Sequence, residues 1–339
     1  MGKNVNNERY PDATAILEAA LAFRKSKIIL TACDINLFDY IGEKRMKAED
    51  IATGIKCNED ALKRLLNALV SMELLVKKNY LYSNSIVALK YLCSYSHSFI
   101  GHFIIANDQW DIWSNLTEVV KTGSSKKLRD YSNMPESVLK AHLESDYKTH
   151  LTDAKNIADM FRMKDFDKVL DLGCGSGVYA IEFMKRHKGM KVELYDYEAV
   201  LGITKQYVDS AGIMNEVEYV AGNFHQIDFG EDYDMIFASF VCDEFSIWEN
   251  IDLFRKAYSA LKQEGLLVIH GNTIDNSRVK PEKSVMHSLE LLLNTQKGEI
   301  FTENDFWIMI KEAGFPIVDI FETNSYNKLL VGRKSKRLY

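Results

Sequence analysis

Three glycines and two acids carry the first chemistry this sequence offers. Gly173, Gly175 and Gly177 follow the apolar run Val169, Leu170, Leu172 in the stretch KVLDLGCGSG, and a helix-like segment from Val178 to Lys185 comes next. Strand, glycine turn and helix is the opening of a nucleotide-binding β-α unit. Glycine is needed where the backbone must turn tightly and approach a ligand with no Cβ in the way. The helix amino end adds free N–H groups and a positive dipole end. The spacing is G-x-G-x-G, not the G-x-G-x-x-G of dinucleotide folds, and Asp171 stands at the turn entrance. A second acid, Asp196, ends the next apolar strand, Lys191-Val-Glu-Leu-Tyr-Asp196. A carboxylate there can accept hydrogen bonds from two ribose hydroxyls. The plainer reading is a tight βα connection with a surface aspartate.

D-L-G-C-G-S-G followed by an acid at the second strand end resembles the class I S-adenosylmethionine (SAM) dependent methyltransferases. From about residue 15 to the end, the chain is similar to the small-molecule O-methyltransferases of plants and bacteria. That resemblance implies an α/β fold: a Rossmann-like, SAM-binding catalytic domain behind an N-terminal all-α, winged-helix dimerisation domain. The boundaries it suggests are 1–95 for dimerisation, 96–160 for a helical linker that contributes to the substrate cavity, and 161–339 for the catalytic domain. It further implies SAM as cofactor, a homodimer, and a small acceptor expected to be aromatic.

The family's site residues carry over one by one, with departures. Gly222-Asn223-Phe224-His225 resembles the family's G-D-F-F, whose acid and aromatic hold adenine. Asn223 replaces the acid but still offers a donor and an acceptor, and Phe224 is placed to cover the ring; otherwise Phe224 is a buried strand-end aromatic. Aligned from Asp234, the pattern D-x-x-x-x-K-x-x-L-H-D-W puts Ser239 at the lysine and Asp243 at the catalytic histidine, between Cys242 and Glu244. The glutamate that orients the histidine in relatives falls on Gly271, and His270 beside it is the nearest imidazole in sequence.

Three readings of that change stay open. Asp243, with His270, takes the base role; an ordinary aspartate near 3.9 is a poor base unless burial raises it. Or the acceptor needs no strong base, as with an amine, a thiolate or an acidic phenol. Or the SAM fold has lost methylation and serves ligand binding or another reaction. Cys242, in the apolar run Phe240-Val-Cys, reads as core rather than nucleophile.

DQWDIWSNL, with Thr122 and Gly123, resembles the family's cavity-wall segment, so Trp110 and Trp113 are substrate candidates as well as core candidates. Val285-Met-His-Ser-Leu-Glu-Leu-Leu-Leu resembles the helix beside the substrate, with Met286 and His287 sharing a helical face with Glu290. His287 is read either as an acceptor contact or as a surface histidine.

The elements that must position these residues follow from periodicity. Strands read at 168–172, 191–195, 217–221, 235–239 and 265–270, alternating with helices at 178–187, 198–211 and 247–262. Strict alternation implies a parallel sheet with helices on both faces and binding at the strands' carboxyl ends. A last pair, 317–322 and 328–332, suggests an added hairpin. Upstream, helical spacing over 13–43, a helix–turn–helix from Asp50 with Asn58 as N-cap, and a hairpin at 74–82 make a winged-helix pattern. DNA binding is the natural rival. The helix over 58–71 carries only Lys63 and Arg64 as basic residues, and its apolar positions cover much of its surface.

Composition closes off other classes. A net charge of −6 gives no bulk attraction for nucleic acid. Five dispersed cysteines argue for free thiols in a reducing compartment and against a metal site. The polar start, MGKNVNNERYPD, and the lack of a ~20-residue apolar run lead to the expectation of a cytoplasmic protein with no membrane partner.

Overall fold

The computed structural model describes residues 12–101, 104, 109–126, 128–213, 216–223, 226–323 and 327–335. The chain divides into two compact units, Met1–Asp108 and Gln109–Tyr339, so the segment 96–160 is shared between them.

The first unit is helical with a small sheet. Strands β1 (Met46–Lys47), β2 (Leu75–Lys78) and β3 (Leu81–Asn84) lie in the order β1-β3-β2. The 74–82 hairpin is there, and β1 adds a third strand too short to leave a pattern in the sequence. Asn58 caps the helix Glu59–Ser71 by accepting the Ala61 N–H at 3.0 Å. That helix buries one stripe, Leu62, Leu66 and Leu69, rather than the broad apolar surface expected. Asn84 ties the wing to the helices, donating to the carbonyls of Phe38 at 2.8 Å and Gly42 at 2.9 Å. The helix Ala13–Leu21 buries no residue in this unit, although Ile16 and Leu17 are 58% and 61% exposed.

The second unit is built on seven strands: β4 (Lys168–Leu172), β5 (Lys191–Asp196), β6 (Val217–Ala221), β7 (Tyr233–Ser239), β8 (Leu261–Asn272), β9 (Ile317–Glu322) and β10 (Asn327–Arg333). Their order is β6-β5-β4-β7-β8-β10-β9. The chain runs outward from β4 to β6, then returns to β7 on the other side of β4, so the topological switch lies between β4 and β7, where such sheets bind ligands. Strands β4 to β8 are parallel, and β10 runs antiparallel to both its neighbours. The final pair is the expected hairpin, added at the edge of the parallel sheet: β9 and β10 pair antiparallel, and the inner strand that joins β8 is β10. The reason is its composition. Leu329, Leu330 and Val331 are consecutive and fully buried, as a strand covered on both faces requires, whereas β9 is half-exposed.

Side chains alternate across β4. Leu170 and Leu172 face the core that includes Ile251, Phe254 and Phe306, from the helices Ile247–Ala260 and Glu303–Glu312. Val169 faces the core shared by the helices Glu136–Met160 and Val178–Arg186. Asp171 falls on that second face, which brings a carboxyl beneath the first turn of Val178–Arg186.

Candidate active site

All three loop glycines adopt positive φ: +65° at Gly173, +52° at Gly175 and +74° at Gly177. Gly173 is required twice over, because a Cβ there would lie 2.5 Å from Val241 Cγ2. Gly175 has room for a Cβ, which would meet Leu143 Cδ2 in ordinary contact at 3.8 Å. The loop is fixed from below. Gly173 N–H donates to the Tyr195 carbonyl at 2.8 Å, and Thr204 Oγ1 donates to the Gly175 carbonyl at 2.6 Å.

Both acids are where the sequence pattern expects them. Asp171 is buried; it accepts the N–H of Ala180, in the first turn of Val178–Arg186, and its Oδ2 has no partner among the described residues. Burial, then repulsion from Asp196, pushes its carboxyl up to about 8. Asp196 accepts the Gly175 N–H at 2.9 Å through Oδ2 and the Tyr197 N–H at 2.7 Å through Oδ1. Burial raises it to about 6 against those two bonds. A carboxylate has roughly four acceptor positions, so Asp196 keeps capacity at the cradle's rim. The Gly222 N–H donates to the Asp196 carbonyl at 3.0 Å, bringing the end of β6 and Asn223 to the same edge. Asn223 is exposed; Phe224 lies outside the described residues.

The reaction region is rearranged relative to expectation. His270 does not meet Asp243. It is fully buried, with Nδ1 3.0 Å from Tyr179 Oη and 3.3 Å from Ser239 Oγ, and Nε2 3.3 Å from Thr323 Oγ1. The Thr323 hydroxyl donates to the Asn327 carbonyl at 3.0 Å, so Nε2 is the protonated nitrogen of a neutral ring. Burial, with His150 nearby, pushes its pKa down to about 3. The reason is its register: His270 is an inward residue of a central strand. Ser239 turns its hydroxyl into this same buried network. Cys242 is buried, with its thiol pushed well up by desolvation, as a core cysteine would be.

The partner of Asp243 is His287. Its Nε2 lies 3.3 Å from Asp243 Oδ2, and its Nδ1 lies 3.4 Å from Glu290 Oε2. Glu290 Oε1 is in turn 3.2 Å from Arg129 Nη2 and accepts a short bond from Gln109. Arg129 Nη1 donates to Tyr131 Oη at 3.0 Å. Burial lowers the His287 pKa, but the two carboxylates outweigh it and the ring rises to about 9. This chain of contacts joins the turn Cys242–Glu244, the helix Glu282–Asn294 and the segment before the helix Glu136–Met160. Sequence reasoning missed Arg129, which sits in a motif-free polar stretch, and Gln109, which stands inside DQWDIWSNL next to Trp110; the Glu290 spacing to His287 was the one visible signal. Trp110 and Trp113 are half-buried on a helical turn that follows Gln109 and packs on Glu282–Asn294. Met286 is 49% exposed.

Two family models match the chain: an O-methyltransferase dimerisation domain over residues 17–94 and an O-methyltransferase domain over 120–316. This chain belongs to the O-methyltransferase family. Among curated relatives of this O-methyltransferase is a human probable bifunctional dTTP/UTP pyrophosphatase/methyltransferase, 26% identical over 91% of this chain; the chain spans about half (52%) of that relative's length. Among solved structures, an O-methyltransferase family protein from Burkholderia thailandensis superposes with a TM-score of 0.88 at 21% identity, covering 97% of this chain and 99% of that one. Human N-acetylserotonin methyltransferase, solved in complex with SAM, superposes with a TM-score of 0.79 at 19% identity, covering 99% and 100%. Among the described residues, no helix is long and apolar enough to cross a membrane, and no cluster of side chains is suited to a metal ion.

Proposed function

We propose that this O-methyltransferase binds SAM in the cradle of Gly173, Gly175, Gly177, Asp171 and Asp196, and methylates a small, aromatic, hydroxyl-bearing molecule. The cradle is what supports the reading. Its glycine loop bends through three left-handed glycines, one of its buried carboxyl oxygens lacks a partner among the described residues, and a second carboxylate at the rim keeps acceptor capacity. Such a site suits a cationic, hydroxyl-rich ligand. Asp196 would take the ribose hydroxyls, and Asn223 and Phe224 the adenine. Asp171 acts from beneath, holding the helix start through Ala180. When bound, SAM supplies an electrophilic methyl on a sulfonium.

The chain's own residues then have to place the acceptor, which is the main contribution to an in-line displacement. Trp110 and Trp113 are proposed to supply a flat wall, and the helix Glu282–Asn294, with His287 and Met286, to border the acceptor. The chain of contacts from Asp243 through His287 and Glu290 to Arg129 holds that helix in place.

The unburied helix Ala13–Leu21, together with the dimerisation-domain match, supports a homodimer in which a second copy covers Ile16 and Leu17. Five free cysteines fit residence in the cytoplasm. The absence of a histidine at 243 and the sealing of His270 favour a second reading, a SAM-fold protein that binds its ligand without methylating it. Calorimetry with SAM tests the first requirement: binding at tens of micromolar or tighter is expected, and none at that concentration would remove both readings. Turnover of SAM to S-adenosylhomocysteine against a library of acceptors separates them.

A further inference from the structure

If this chain methylates a hydroxyl, a proton has to leave the acceptor, and neither His270 nor His287, the two imidazoles that the sequence pattern offers, is free to take it. His270 is sealed in the sheet and bonded at both nitrogens. His287 has a carboxylate at each nitrogen, Asp243 at 3.3 Å and Glu290 at 3.4 Å, so its ring is held as a cation with no vacant lone pair. Asp243 is buried and spends Oδ2 on that ring.

One carboxylate in the cluster remains uncommitted. Glu244 ends the turn Cys242–Glu244 that follows β7 at the carboxyl edge of the sheet. Its side chain is partly exposed and makes no hydrogen bond or ion pair among the described residues. The charges around it come from every neighbouring element: Asp243 on its own turn, Asp196 and Tyr197 beyond β5, Arg129 and Tyr131 before the helix Glu136–Met160, and His287 from Glu282–Asn294. Glu244 is thus close enough to feel Asp196 at the cofactor cradle and His287 on the substrate-side helix at once.

We propose that Glu244 is the proton acceptor for the incoming hydroxyl, while Asp243 and His287 form a fixed ion pair that positions the helix beside it. This rests on the methyltransferase reading. The acceptor's hydroxyl proton passes to a Glu244 carboxylate oxygen. An electron pair on the acceptor oxygen forms the O–C bond as the C–S bond breaks, and that bond's pair stays on the sulfur of S-adenosylhomocysteine. The neutral glutamic acid then returns its proton to water. Burial, then repulsion from Asp243, pushes Glu244 up to about 7, which matches a base to neutral operating pH. An ordinary carboxylate would be too weak a base for a phenol.

The test uses the full-length protein, glutamate labelled with ¹³C at the side-chain carboxyl, and S-adenosylhomocysteine. In the saturated wild type, the carboxyl resonance that Glu244→Gln removes is expected to titrate with a midpoint between about 6 and 8. A midpoint below about 5 overturns the proposal. Glu244→Asp serves for the assignment if the glutamine variant does not fold. Calorimetry keeps the two layers apart. Failure of the wild type to bind S-adenosylhomocysteine sinks the methyltransferase reading itself. Normal binding with an ordinary Glu244 titration sinks only its role as base. A panel of simple phenols adds the kinetic readout. Glu244→Gln should lose about 10²-fold or more in kcat on phenol, with the KM for SAM unchanged, and recover on 4-nitrophenol at pH 8, where the acceptor is already ionised. A wild-type rate on phenol refutes the role, and the carboxyl titration decides alone if no phenol is methylated.

Discussion

His287 Nε2 lies 3.3 Å from Asp243 Oδ2, an ion pair between residues 44 positions apart in the chain. One comes from the end of a central strand, the other from the helix flanking the proposed acceptor site. A histidine and an acid therefore do meet where the resemblance places the catalytic histidine, but the acid stands at that position and the imidazole comes from the helix Glu282–Asn294. With Glu290 on the other nitrogen, the ring is a structural cation.

That pairing predicts a pH-dependent stability. The folded-state pKa of His287 is raised to about 9 from an ordinary 6.5, so its stabilising contribution is complete below about 6.5 and disappears as pH rises through about 9. The difference is on the order of 2–3 kcal/mol. Urea denaturation at pH 6 and pH 9.5 should show this loss in the wild type, and His287→Gln should remove most of it. An unchanged difference in the variant would refute the latch.

Asp171 predicts the opposite use of a carboxyl. Its folded pKa, about 8, lies above the unfolded value, so the folded protein holds a proton the unfolded chain has released. Stability from this group is present at low pH and falls by about 1.4 kcal/mol per unit as pH rises from about 4 to about 8. Asp171→Asn should therefore gain on the ligand-free wild type progressively over that range. Parallel stability curves for the two proteins would contradict the burial account.

The glycine loop separates two kinds of cost. Gly173→Ala combines a left-handed backbone with a Cβ 2.5 Å from Val241 Cγ2 and should destabilise by about 2–4 kcal/mol. Gly175→Ala meets only an ordinary contact with Leu143 and should cost only the backbone strain, about 1 kcal/mol. Val241→Ala added to Gly173→Ala should recover part of the first loss. Additive costs in thermal or chemical denaturation would show that the contact is not the cause.

The proposed ribose contact predicts that Asp196→Ala weakens S-adenosylhomocysteine binding by roughly 10- to 100-fold, the loss expected for hydrogen bonds to a charged group. Asp196 also holds the Gly175 N–H at 2.9 Å, so thermal denaturation of the variant should show a second, smaller effect on the empty protein. Calorimetric affinity equal to wild type would place the ribose elsewhere.

Much of this protein is legible in its sequence because the relevant signals are local. Short apolar runs located the seven strands of the second unit's sheet, and the glycines with Asp171 and Asp196 marked the cradle, since a tight turn and a strand-end acid each leave their signature within a few residues. Asn58 was readable as a helix cap for the same reason. Tertiary structure alone decided the rest. It put β10 rather than β9 next to β8, buried His270 in the sheet, and brought His287 from a distant helix to Asp243. Sequence order suggested His270 as the nearest imidazole. Nearness along a strand says nothing about which face a side chain takes, and the partners of a buried charge are set by packing between elements far apart in the chain.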